Sequence, residues 1–287
     1  VRDMLLRGVT RDELVRFIAE ECFKAGCDGL FLPAVSNLGV LFPIHEIVRT
    51  IDSQVPLRFV AVDAAQAFCH VPAAGYAGSD LLIAGCHKWL GANQTMGMAF
   101  CPRKRSRSFI ERTLRRMVDA RQIDDPLLRF TEQLERGQLD GYSETTNIAP
   151  LFSCCGAIGA VPANDLEQEQ QLRIRRLNAD VLSEVADNSG WRPVRPVADF
   201  RTGILLLKPR HQPSRSSAKS VRAAFQEHGV ILSTYDDGLI RLSMPQRPFT
   251  DDTVARIRES LVHARPADRC IMRPLSFPHS DPDRRTA

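Results

Sequence analysis

The sequence predicts an α/β protein, with a mostly parallel sheet flanked by helices in a large first unit and a smaller α+β unit after it. Three observations carry the prediction. The runs Leu57 to Val62, Asp80 to Ala84 and Met96 to Cys101 are continuously apolar, as strands buried on both faces are. Stretches with apolar residues at helical spacing accompany them, the alternation that builds a sheet with covering helices. Beyond Phe200 the apolar runs are short and β-rich with turn residues between them. The expected division is 1–165 for the large unit, 166–263 for a linking helix and the small unit, and 264–287 for a tail rich in Pro, Asp and Arg that is too polar to fold.

In order, Thr10 to Gly26 reads as a helix, opened by a Thr10/Glu13 capping box, with Leu14, Phe17, Ile18 and Cys22 on one face and Gly26 as its stop. Gly29 to Val35 is a short strand running into the turn Ser36 to Gly39, and Ile44 to Ile51 has helical spacing. Ser108 to Leu139 is charged and helical, interrupted at Pro126. A polar loop, Gly141 to Asn147, leads to Ala149–Val161, small and apolar enough to be a buried helix. Leu166 to Val185 is a long periodic helix with Leu172, Leu177, Val181 and Leu182 inward. Then come a strand at Gly203 to Leu207, a polar loop at His211 to Ser217, and a helix from Ala218 to His228. The strands Val230 to Ser233 and Leu239 to Met244 are joined through Asp236-Asp237-Gly238, a hairpin signal, before a capped helix from Thr250 to His263.

Composition bounds function only loosely. The 287 residues, 44% hydrophobic and 25% charged, are those of an ordinary globular protein. A net charge of +4 is too small to imply a nucleic-acid partner, and the basic run Arg103, Lys104, Arg105 and Arg107 reads as a solvated loop. The eight cysteines show neither a CxxC pair nor the spacing of a zinc site or disulfide framework, so reduced thiols in a cytoplasm are expected. No run is long and apolar enough to span a bilayer and no charged-then-apolar leader is seen; the first residue is valine, as expected of a chain whose given start is not its true one or of a GTG start translated literally.

The chemistry concentrates between Phe59 and Phe100. Asp63 ends one apolar run, and His87 and Lys88 follow the next. In sheets of this kind ligand groups collect at strand ends. A lysine amine can form a Schiff base with a carbonyl, and a carboxylate held against a pyridine nitrogen keeps that nitrogen protonated. Alone, Lys88 reads as a surface charge and Asp63 as a turn cap; together they suggest a pyridoxal phosphate site.

The order Ser36, Asn37 and Gly39; Val62 to Gln66 (VDAAQ); Asp80 to Trp89 (DLL followed by HKW); Thr145, Asn147, Ala149 and Pro150; and Ile240 to Ser243 (IRLS) closely resembles the class V aminotransferases. This pyridoxal-phosphate group includes cysteine desulfurases and isopenicillin N epimerase-like proteins. The resemblance runs from about the first strand to the last helix and implies the pyridoxal-phosphate fold type I, with transamination, epimerisation or β-elimination of a small amino acid. It implies that Lys88 forms the Schiff base and moves protons at the substrate α-carbon. By the same resemblance, Asp63 pairs with the pyridine nitrogen, Gln66 bonds the phenolic oxygen, and Asn37 lies near that oxygen or the substrate carboxylate. His87 contacts the phosphate, Arg241 grips the α-carboxylate, and Thr145 reaches the phosphate of the other subunit of a homodimer.

The pattern departs from the family in four places. Gly85 stands where a phosphate-binding serine is usual, and Glu144 where a glycine is usual. The segment that in the family precedes the first helix, with its phosphate-binding helix start and ring-stacking side chain, is not in the sequence. No cysteine lies between Arg201 and Arg241, where desulfurases carry their persulfide acceptor, so that reaction is disfavoured. The first three departures motivate an alternative, a truncated non-catalytic member serving as a dimerisation or regulatory partner. A nucleotide-binding protein finds little support, since no glycine-rich phosphate loop follows any strand.

Overall fold

The computed structural model describes residues 4, 8–76, 78–141, 145–162, 164–210, 217–235 and 238–264. The first helix, α1 (Arg11–Lys24), opens on the predicted capping box: the Thr10 hydroxyl accepts from the Glu13 N–H while the Glu13 carboxylate accepts from the Thr10 N–H. Strand β1 (Gly29–Pro33), helix α2 (Ile44–Asp52) and strand β2 (Phe59–Asp63) follow, then β3 (Leu81–Gly85) and β4 (Gly97–Phe100). They form one sheet in the order β1-β2-β3-β4, parallel through β3 with β4 antiparallel at the edge. Val60, Val62, Leu82 and Ala84 pack on Leu14, Ile18, Ile47 and Ile51 from the two helices. Each fully buried isoleucine or leucine there contributes about 1.5–3 kcal/mol.

The basic run is solvated but is not a loop: Lys104, Arg105 and Arg107 are exposed, yet helix α3 (Lys104–Asp119) begins within it, and Asp80, which is 0% exposed, anchors its start. The Asp80 carboxylate accepts from the Val60 N–H at 2.8 Å and from the Ser106 hydroxyl, and it pairs with Arg105 at 3.3 Å and Arg103 at 3.6 Å. Pro126 starts a helix rather than interrupting one: α4 (Pro126–Glu135) has the proline in its first turn, behind an Asp125 N-cap. Helix α5 (Ala149–Ile158) is not the buried helix expected, since only Cys154 is buried and Phe152 is 71% exposed.

Helix α6 (Asp165–Asp187) leads into a second sheet of β5 (Trp191–Val194), β6 (Ile204–Pro209), β7 (Ser233–Thr234) and β8 (Ile240–Ser243), ordered β5-β6-β8-β7 and antiparallel throughout. Helices α7 (Ala218–Glu227) and α8 (Asp251–His263) cover it with α6. Leu172 and Leu182 of α6 point inward as expected, but Leu177 and Val181 are exposed. The buried face passes instead through Arg175 and Asn178. The Asn178 amide donates to the Pro245 and Arg247 carbonyls and accepts from the Phe249 N–H. Arg175 donates to the His70 carbonyl and Gln246 Oε1, while its Nε finds no partner among the described residues.

Strand β6 joins the two cores. Ile204 and Leu206 pack into the core of the first sheet, and Leu205 and Leu207 into that of the second, as strand alternation dictates. The expected strand Val230 to Ser233 shrinks to β7, with Ile231 91% exposed. The hairpin to β8 forms, with Ser233 opposite Arg241, although its Asp236 and Asp237 lie outside the described residues. So do 211–216 of the polar loop, Glu144, and the expected tail apart from Ala264, which is buried as the C-cap of α8. Among the described residues no helix is long and apolar enough to cross a membrane.

Candidate active site

Parallel pairing aligns the carboxyl ends of β1, β2 and β3. Pro33 lies opposite Asp63, and Asp63 opposite Ile83. The segments that leave this edge carry Asn37 after β1, Asp63 and Gln66 at and after β2, and His87 and Lys88 after β3. Five of the seven sequence-predicted residues therefore collect at the carboxyl edge of the sheet, where ligands bind in open α/β folds.

Asn37 and Arg241 are brought together from positions 204 residues apart: the Arg241 Nη1 donates to the Asn37 carbonyl at 3.1 Å. The loop that carries Asn37 lies flat on β6 because residue 39 is a glycine. Its φ is +79°, and a Cβ there would sit 2.5 Å from the Ile204 Cβ. The Thr202 hydroxyl ties the loop down by donating to the Gly39 carbonyl at 2.8 Å. Arg241 Nε is buried without a hydrogen-bond partner among the described residues.

The Asp63 Oδ1 caps the following turn, accepting from the Ala65 N–H at 2.8 Å, which is the structural use considered for it from sequence. Its other oxygen makes no hydrogen bond among the described residues. Gln66 Oε1 accepts from the Trp89 indole N–H at 2.9 Å. Lys88 and His87 are exposed. The His87 ring lies over Gly85, 3.0 Å from where a Cβ would stand, so the imidazole occupies the space that a serine would need. Thr145 is exposed in the segment before α5, and nothing in the described residues brings it to the others.

Sequence reasoning missed the support beneath these residues. Trp89 stacks on His70 with centroids 3.6 Å apart, and the Arg175 guanidinium lies 5.1 Å from the Trp89 ring centroid. His70 is buried, with its Nδ1 2.8 Å from the Gln66 carbonyl and its Nε2 accepting from the Gly203 N–H at 2.8 Å. Since a backbone N–H can only donate, the ring is neutral with its proton on Nδ1. Burial accordingly pushes the His70 pKa down to about 3. Burial likewise lowers the Arg175 pKa and raises the thiol of neighbouring Cys69 to about 11. The adjacency of Trp89 to Lys88 was a usable signal; nothing local distinguishes Arg175, which meets His70 across 105 residues.

No protein-family model and no curated protein matches the chain. Solved structures do. A protein described as NifS-like matches with TM-score 0.59 at 15% identity, over 88% of this chain and 64% of its own. Alanine–glyoxylate aminotransferase from Nostoc sp. matches with TM-score 0.58 at 17% identity, over 89% of this chain and 65% of its own. A serine palmitoyltransferase from S. paucimobilis, solved with bound PLP, matches with TM-score 0.54 at 13% identity, over 89% of this chain and 58% of its own. The chain thus has the fold that class V aminotransferases share, a mixed α/β type I architecture, and spans less than two thirds of the length of these structures.

Proposed function

We propose that a chain with this fold holds pyridoxal phosphate at the aligned carboxyl ends of β1, β2 and β3, and serves a PLP-dependent transformation of a small amino acid. The observation that carries this reading is the convergence of Asn37, Asp63, Gln66, His87 and Lys88 on one sheet edge, with Arg241 reaching Asn37 from the second sheet. The unfilled bonding capacity there fits the cofactor and its substrate. Among the described residues Asp63 has a free carboxylate oxygen for a pyridinium, the Gln66 amide has a donor without an acceptor, and the buried Arg241 Nε lacks a partner that a carboxylate would supply.

When bound, pyridoxal phosphate supplies an electron sink for charge that develops at the amino acid α-carbon. Asp63 holds the ring nitrogen in its protonated form by ion pairing, and the Gln66 N–H donates to the phenolic oxygen. His87 contacts the phosphate, standing in for the serine absent at position 85. Arg241 would bind the substrate α-carboxylate through its planar fork, with Asn37 beside it. Lys88, on a flexible four-carbon stem, carries the amine that takes the proton from the α-carbon and returns it. The reaction is transamination, epimerisation or β-elimination; sulfur transfer to a cysteine is disfavoured by the absence of one between Arg201 and Arg241. Its setting is cytoplasmic, in keeping with the free cysteines.

The proposal extends to a homodimer. Thr145 is exposed beside α5, whose Phe152 and Ile158 offer apolar surface to a second copy. A second reading, a non-catalytic dimerisation or regulatory partner, is favoured by Gly85, which offers a phosphate no hydroxyl.

Excess pyridoxal phosphate added to the purified protein separates the two readings. A visible absorbance band that borohydride abolishes, with the reduced adduct mapping to Lys88 and no band from Lys88→Ala, is expected; a wild type without such a band is the non-catalytic partner.

A further inference from the structure

Trp89 directly follows Lys88, and its indole N–H donates to Gln66 Oε1 at 2.9 Å. An indole N–H donates and cannot accept, so the contact fixes which end of the amide faces Trp89: the oxygen is engaged and the NH2 group is turned away from it. Among the described residues that NH2 group has no acceptor. Gln66 is held at its backbone as well, because His70 Nδ1 donates to its carbonyl at 2.8 Å. The indole in turn is clamped, with His70 stacked on it at 3.6 Å and an interplanar angle of 16°, and Arg175 beside its ring. His70 is anchored through the N–H of Gly203, the residue just before β6, where any Cβ would stand 2.8 Å from its Nε2.

We infer that Trp89 is a positioning residue: its N–H holds the Gln66 amide in the one orientation that presents a donor, and no acceptor, to the ligand. The inference rests on the functional reading above and deepens it. A site that offers only a donor at this point selects a pyridine whose ring oxygen is ionised and disfavours the protonated hydroxyl, which would itself need an acceptor. Without the indole N–H the amide is free to turn over, and that selection disappears.

The test uses deoxypyridoxine phosphate, which lacks the aldehyde and so needs no bond to Lys88, and follows the ultraviolet titration of its ring hydroxyl when bound. In the wild type the midpoint is expected below that of the free compound. Trp89→Phe keeps a ring on His70 and removes the N–H, so the midpoint is expected to rise and neutral-pH affinity to fall about three- to tenfold. Gln66→Ala should give the same shift, and the double variant no more than Gln66→Ala alone. Additive losses, or an unmoved midpoint in Trp89→Phe, overturn the positioning role. Gln66→Glu reads the same orientation without touching the indole, since it keeps an acceptor for Trp89 and replaces the outward donor by an acceptor. Its midpoint is expected above that of the free compound, and an unchanged one overturns the inference. A wild type that does not bind the compound overturns the functional reading, and the inference falls with it.

Discussion

Asp80 illustrates what one buried charge organises. Burial pushes its pKa up, but the Ser106 hydroxyl, the Val60 N–H, Arg105 and Arg103 together outweigh that and hold it below the usual carboxylate range. Asp80→Asn leaves two arginines facing a neutral group, and a loss of about 1–3 kcal/mol in urea unfolding is expected, moderated because both arginines are partly exposed. A carboxylate with a depressed folded pKa stabilises fully above its unfolded value near pH 4, and that contribution is lost as pH falls through the lower folded value. His70 acts in a different window. Its folded pKa, lowered to about 3 from 6.5, means that the unfolded chain binds the extra proton first, so stability declines once pH falls below about 6.5. The decline should reach at most about 1.4 kcal/mol per pH unit. Urea midpoints measured from pH 7 to pH 4 should lose that slope in His70→Gln, whereas Asp80→Asn should keep it.

At the scale of elements, the position of the Asn37 loop depends on Gly39. With φ at +79° and the Ile204 Cβ 2.5 Å from any added Cβ, Gly39→Ala must either strain the turn or lift the loop from β6. A loss of about 2–4 kcal/mol is expected, and Asn37 should separate from Arg241. Wild-type stability in Gly39→Ala by thermal and urea melts would contradict this packing. Helix α6 makes the complementary point. Apolar periodicity marked Leu177 and Val181 as inward, yet the helix turns Arg175 and Asn178 to the core, where Asn178 donates to the Pro245 and Arg247 carbonyls and Arg175 to the His70 carbonyl.

At the scale of the molecule, two sheets share β6 between their cores, so the residues of the candidate site arrive from both. Phe31 and Ile83 lie on the sheet face that also carries Asp63 and are exposed, as are Phe152 and Ile158 on α5. If α5 meets its copy in a second chain, sedimentation at micromolar concentration should give a dimer that Phe152→Glu shifts to monomer. A wild-type monomer under those conditions would exclude this interface.

The sequence by itself determined the type of nearly every element, because apolar period, caps and turn residues are local signals: the Thr10 capping box stands where the pattern put it, and the strands ending at Asp63 and Gly85 lie within one or two residues of the expected runs. It also placed the chemistry-bearing residues at strand ends, since continuous apolar runs must stop where polar groups begin. Only the tertiary structure decided which partners those residues have. The pairing of Asp80 with Arg103 and Arg105, the clamp of Trp89 by His70 and Arg175, and the reach of Arg241 to Asn37 join positions up to 204 residues apart. No periodicity encodes such contacts, because they arise from how finished elements pack, not from how each one forms.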